Sequence, residues 1–163
     1  DAWGKTRRSL VWELGKLDYR PDTLALDLPE DALDLPPVSL LEVMGIEYGL
    51  LGMSLRDHIM TLYRDPLHER GVLGSRDLDR CQDGDMVTVA GQILVHQAPP
   101  TAKGHHFITL EDEDGFINII VRPDVYAQYR RVLRESPLLV IDGTVQRSRG
   151  VSNVIAQEVR TLR

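Results

Sequence analysis

Cysteine is all but missing. Cys81 stands alone among 163 residues, which excludes an internal disulfide and fits a reducing compartment. Aromatic residues are scarce, at 6% with two phenylalanines. No apolar run approaches the roughly 18 residues of a membrane span, so no membrane partner is expected. The opening DAWGKTRRSL lacks the apolar stretch and small-residue cleavage site of a secretory leader, and it lacks an initiator Met. The expectation is an excised or processed chain that works in the cytoplasm. No Walker loop, dinucleotide glycine pattern or Ser/His/Asp arrangement is present, so an independent enzyme has no catalytic constellation to use and no cofactor is implied.

Positive charge is also short, at 19 Lys and Arg against 25 Asp and Glu. The deficit is local. Residues 1–84 hold 10 basic and 16 acidic side chains, whereas residues 85–163 hold 9 of each. A neutral C-terminal half argues against a strong free-standing DNA binder, because nonspecific affinity comes largely from neutralising phosphates.

What is present is a pattern of strands between Met86 and Val121. Val87, Val89, Ile93 and Val95 alternate with Thr88, Ala90, Gln92 and Leu94, the period of a strand with one buried face. Gly91 within it predicts a bulge or sharp bend. A Pro/Gly loop spans 98–104, Phe107–Leu110 forms a second strand, and Asp114-Gly115 signals a tight turn. Ile117, Ile119 and Val121 then alternate in a third strand. Pro123-Asp124 opens a helix striped with Val125, Tyr129, Val132 and Leu133, and Pro137 ends it. Two further strands, Leu138–Val145 and Val151–Val159, flank a turn at 148–150. This order predicts a mainly β protein: a five-stranded OB-fold barrel with a helix between strands 3 and 4, preceded by a small helical segment.

The N-terminal half reads as helices and connector. Thr6 can cap a helix over 7–17. Residues 18–37, with Pro21, Pro29, Pro36 and Pro37, form an extended connector. Ser39 and Glu42 have capping-box spacing, so a helix starts at Leu40 and runs to about Tyr48, with a break at 49–53. Ser54 and Asp57 predict another start, with Leu55, Ile59 and Leu62 at helical intervals and Pro66 as the stop. Residues 67–84 are expected to be mostly loop, with one short turn at 75–80. The domain division is therefore 1–84, helical with a Pro-rich connector, and 85–163, the barrel.

Taken together, VAGQILVHQAPPTAKGHHFITLEDEDGFINIIVRPDVYAQYR, LLVIDGTVQRSRGVSNVIA, EYGLLGMSLRDHIMTLYR and WELGKL resemble the C-terminal region of bacterial C-family DNA polymerase α-subunits, most closely the error-prone branch. The resemblance spans nearly the whole chain. Family arginines are replaced by His96 and Ala98, and a family proline by Ile59. The resemblance implies a non-catalytic module that helps a polymerase hold single-stranded template, weakly, or arrange its partners. Those partners would be the rest of the parent polymerase, accessory proteins of synthesis across damage, or a sliding clamp. The alternative reading is a protein-interaction module that docks on those factors or on the polymerase body. No clamp motif stands in the connector, since Thr23–Leu28 lacks its glutamine and aromatics.

Strand alternation selects the candidate nucleic-acid contacts. With Ile108, Leu110, Ile117 and Ile119 in the core, His105, Phe107, Thr109, Asn118, Ile120 and Arg122 share the outer face. An aromatic beside an amide and a guanidinium suits base stacking, edge hydrogen bonding and phosphate pairing. The plainer alternative is that Phe107 packs under the helical half or a neighbouring domain. Lys103 in the first loop and Arg147 and Arg149 in the last could reach phosphates, or could be solvated turn residues. Arg130, Arg131 and Arg134 read as a solvated helix face. Asp112 and Asp114 have the spacing of polymerase metal ligands but sit in a hairpin turn, where solvated acids are the expectation. The histidines offer no zinc set, since there is one cysteine and His105 and His106 point to opposite faces.

Overall fold

The computed structural model describes residues 7–15, 36–51, 54, 57–148 and 150–162. Thr6, most of the expected connector, Leu55 and Arg149 lie outside the described residues. The chain forms two compact units, Asp1–Met53 and Ser54–Arg163.

The first unit contains α1 (Arg7–Gly15) and α2 (Leu40–Leu51). The capping box at the start of α2 is formed: the Glu42 amide donates to Ser39 Oγ at 3.2 Å and the Ser39 amide donates to Glu42 Oε2 at 2.9 Å. The helix runs through Gly49 to Leu51, past the expected end at Tyr48. Arg8 of α1 reaches Glu42 Oε1 at 3.1 Å.

In the second unit, β1 (Met86–Gln97), β2 (His106–Glu111), β3 (Phe116–Val121), β4 (Leu138–Ser148) and β5 (Val151–Thr161) close into a barrel in the order β1-β2-β3-β5-β4. Helix α4 (Pro123–Glu135) lies between β3 and β4, with Pro123 in its first turn, where a missing N–H costs nothing. This is the five-stranded OB-fold barrel that the pattern predicts. Its core is the set of inward-facing positions, including Val89, Ile108, Leu110, Ile117, Ile119, Leu139, Ile141, Val145 and Val154, with Val125 and Leu133 of α4 closing it.

Strand β1 is long because it serves two neighbours. Met86–Gln92 pair with β4 and Gln92–Gln97 pair with β2. Gly91 sits at the handover, where a Cβ would lie 2.8 Å from the Glu111 carbonyl oxygen. The bulge comes later, between Ile93 and Val95. It shifts the alternation by one residue, so Val95 faces outward beside Thr109 and not into the core as the unbroken pattern predicts.

Residues 54–84, grouped above with the helices, pack with the barrel. His58 caps a 3-10 turn (Ile59–Leu62) by accepting the Met60 amide at Nδ1, and α3 (Arg64–Glu69) follows. Pro66 does not stop this helix. It lies within the first turn of α3, where the N–H it lacks has no helical acceptor. Met60, Leu67 and Val72 bury Ala90 from the outside of the barrel, with Leu138 and Val140 packed against the cluster. A second core therefore covers the outer surface of β1 and β4. A further 3-10 turn, Asp77–Arg80, leads into β1 and sends Leu78 into the main core.

Candidate nucleic-acid interface

The outer surface of β2 and β3 is built differently from that of β1 and β4. Phe107 lies opposite Ile120 on β3 and Gln97 on β1; Thr109 lies opposite Asn118 and Val95; Glu111 lies opposite Phe116. Asn118 also pairs in register with Asn153 of the parallel neighbour β5. Phe107 is 40% exposed and Phe116 is 61% exposed. Asn118 is exposed and Thr109 half-buried. The face thus presents aromatic rings and amides over a fully buried layer of Ile108, Leu110, Ile117 and Ile119.

Two of the expected cations flank one end of this face. Lys103 follows the 3-10 turn Pro100–Ala102 in a left-handed conformation, φ 49°, and is exposed. Arg122 extends from the end of β3, beside the start of β2, and its Nε lies 3.8 Å from Asp124 Oδ1. His105 belongs to the loop and not to the strand face: its Nδ1 lies 3.0 Å from the Ala102 carbonyl oxygen.

Arg147 is occupied elsewhere. It follows Val145 on the inward register of β4, and its guanidinium donates to the carbonyl oxygens of Leu78 at 3.2 Å and Asp79 at 2.5 Å. It ties the end of the barrel to the Asp77–Arg80 turn. Of the helix arginines, Arg131 pairs with Glu135 at 2.9 Å along α4.

The acidic hairpin is not a solvated turn. Asp112 is 3% exposed. Its carboxylate accepts the Ser75 amide at 2.6 Å, the Ser75 hydroxyl at 2.7 Å, and the Asp114 and Gly115 amides at 3.0 and 2.9 Å. Burial pushes this carboxyl up, but the hydrogen bonds from Ser75 and the turn amides outweigh it and hold the group below the ordinary aspartate range. Glu113 pairs with Arg64, Asp114 with Arg76 at 3.1 Å, and Glu111 lies 3.8 Å from His58. Asp112, Glu113 and Asp114 therefore anchor the β2–β3 hairpin to the segment before β1. Asp112 has both of its oxygens filled by donors.

His106 lies on the inward register, stacked on Tyr126 of α4 with ring centroids 3.4 Å apart at 14°. His96 Nε2 lies 3.0 Å from His106 Nδ1. Burial holds both imidazoles below the usual histidine range, with Arg134 adding to the effect on each. This cluster plugs the barrel end under α4 and contributes nothing to the open face.

Two features of the face were missed from the sequence. Phe116 shares the parity of Asn118 and Ile120 and was legible in principle, had the alternation been continued to the first residue of β3. Val95 was hidden by the bulge.

Residues 87–162 match the tRNA_anti-codon family model, described as an OB-fold nucleic acid binding domain. The chain is 37% identical to an error-prone DNA polymerase of Anaeromyxobacter sp. (strain K) over 163 residues, covering 99% of this chain and 14% of that protein. It is 38% identical to an error-prone DNA polymerase of Xanthomonas campestris pv. campestris (strain B100), covering 96% of this chain and 14% of that one. The barrel is an OB-fold, and the chain is homologous to a segment of error-prone DNA polymerases. Among solved structures, the asparaginyl-tRNA synthetase of Pyrococcus horikoshii superposes with a TM-score of 0.47 at 15% identity, over 56% of this chain and 22% of that one. The chain spans about one seventh of the length of the curated relatives it matches, 14% in each case.

Proposed function

We propose that this segment is a non-catalytic single-stranded DNA-binding module of a cytoplasmic error-prone DNA polymerase, which steadies template during synthesis across damage. The observation that carries the reading is the open face of β2 and β3. Phe107 is 40% exposed there, beside the exposed Asn118, with Lys103 and Arg122 at one end. A ring offers its face to any base, an amide can bond a base edge, and the two cations can pair with phosphates. Affinity is weak because the barrel half of the chain is neutral.

Titration with fluorescent oligo-dT at low and high salt tests this. Phe107→Ala should weaken binding about five- to a hundred-fold, the value of one stacked base, and Arg122→Ala should lower the salt dependence. An oligomer that does not bind at low salt, or binds the double variant as tightly as wild type, removes the reading.

A second reading has its own observation. On α2, Leu41, Ile46, Leu50 and Leu51 are each more than half exposed, from 55% to 79%. Such a surface suits docking on the remainder of the polymerase or on an accessory protein. Co-purification with those proteins, together with no oligonucleotide affinity, favours it.

A further inference from the structure

We infer that His96 and His106 form a proton-sensitive clasp at the neck of the first barrel loop, closed while one of the two rings can accept a hydrogen bond and open once both are protonated. The clasp does not depend on the function proposed above.

Strands β1 and β2 pair as far as Gln97 and Phe107, and residues 98–105 form the loop between them. His96 and His106 therefore stand at the two feet of that loop. Past the bulge, His96 lies opposite the buried Ile108, and His106 shares the parity of Ile108. Both half-buried rings meet Tyr126 of α4, His106 stacked on it and His96 edge-on at 6.0 Å. Their facing nitrogens, His96 Nε2 and His106 Nδ1, are 3.0 Å apart.

Each facing nitrogen either carries a hydrogen or offers a lone pair. With both rings neutral, or with one protonated, one nitrogen donates and the other accepts. A first proton is tolerated, since the bond becomes charge-assisted and Tyr126 offers its ring face to His106. A second proton leaves two N–H groups confronting each other, and repulsion between cations replaces the bond. The surroundings do not offset it. Arg134 of α4 acts against protonation of both rings, as burial does more strongly. On the neighbouring elements, His105 is turned to the Ala102 carbonyl, and Arg122 and Asp124 lie against each other at 3.8 Å. Along α4, Arg130 is exposed and Arg131 pairs with Glu135.

What the clasp holds is a loop folded largely on itself. The Ala102 amide donates to the Pro99 carbonyl at 2.9 Å and the His105 amide to the Ala102 carbonyl at 3.0 Å. Gly104 backs onto the start of α4, where a Cβ would lie 3.3 Å from Pro123 Cγ. Opening the clasp loosens this loop, which carries Lys103, and leaves the ladder of β1 and β2 in place.

Histidine side-chain NMR on the full chain, between about pH 8 and about pH 5, tests this, with amide exchange of residues 98–105 as a second readout. In wild type the rings should take up protons in two coupled steps, each ring responding to both. Loop exchange, corrected for its intrinsic pH dependence, should rise about two- to ten-fold across the lower step, the worth of one hydrogen bond. His96→Ala should leave His106 with a single step, and its loop should exchange at the faster rate already at neutral pH. Arg134→Gln should move the lower step to higher pH. Both folded rings titrate below the unfolded value, so their contribution to stability is full above about pH 6.5 and declines as pH falls through the folded values. Two independent single-step titrations overturn the inference, as does loop exchange at neutral pH that is the same in wild type and His96→Ala. Should His96→Ala fail to fold, the wild-type titration decides by itself.

Discussion

Two outer surfaces of one barrel are treated in opposite ways. On β1 and β4, Ala90 is completely buried under Met60, Leu67 and Val72. On β2 and β3, Phe107 and Phe116 are left in solvent at 40% and 61%. Both surfaces carry apolar side chains, yet among the described residues a second core covers only the first. A covered face is a stability device, and an uncovered one with rings, amides and flanking cations is free to bind. The same segment, 54–84, serves both ends: it supplies the cover for β1 and β4, and through Arg64 and Ser75 it bolts the β2–β3 hairpin that presents the open face.

That contrast can be broken by mutation. Met60→Ala should cause the largest loss of stability, about 2–5 kcal/mol for a fully buried methionine, whereas Phe107→Ala, whose ring is already partly in solvent, should lower the urea midpoint clearly less. Equal losses would mean that the two faces are not different in kind.

Asp112→Asn should cost about 2–3 kcal/mol at neutral pH, since a buried acceptor of five bonds, one of them from Arg64, loses its charge and part of its geometry. Its pH dependence has a definite sign. The folded carboxyl is held below its unfolded value, so its contribution is full above about pH 4 and drains as pH falls through the folded value. Urea unfolding between pH 5 and pH 2 should show this decline in wild type and a flatter profile in the variant.

Arg147→Ala should lower stability by about 1 kcal/mol through lost bonds to the Leu78 and Asp79 carbonyls. Its oligo-dT affinity should stay close to that of wild type. A large loss of DNA affinity at unchanged stability would return Arg147 to the binding face.

Much of the barrel was legible because its strands carry a clean period. Ile108, Leu110, Ile117 and Ile119 alternate without interruption and all lie in the core. Val95 was misread because a bulge one residue upstream inverts parity, and a bulge leaves no fixed mark on the residues that make it. Pro66 was misread as a stop because a proline is tolerated in the first turn of a helix and disruptive later, and the helix start was not marked by a conventional cap. Arg147 and Asp112 look like surface charges in sequence. Their partners, Leu78 and Ser75, lie far away along the chain.

From the sequence alone came the strand order, the helix that plugs the barrel, the layer of inward residues and the parity of Phe107 and Asn118, all properties of local periodicity. Tertiary structure alone decided which outer surface is covered, which acids are buried and which arginine is spent on backbone carbonyls. Those outcomes depend on contacts between segments distant in the chain, and no local pattern encodes them.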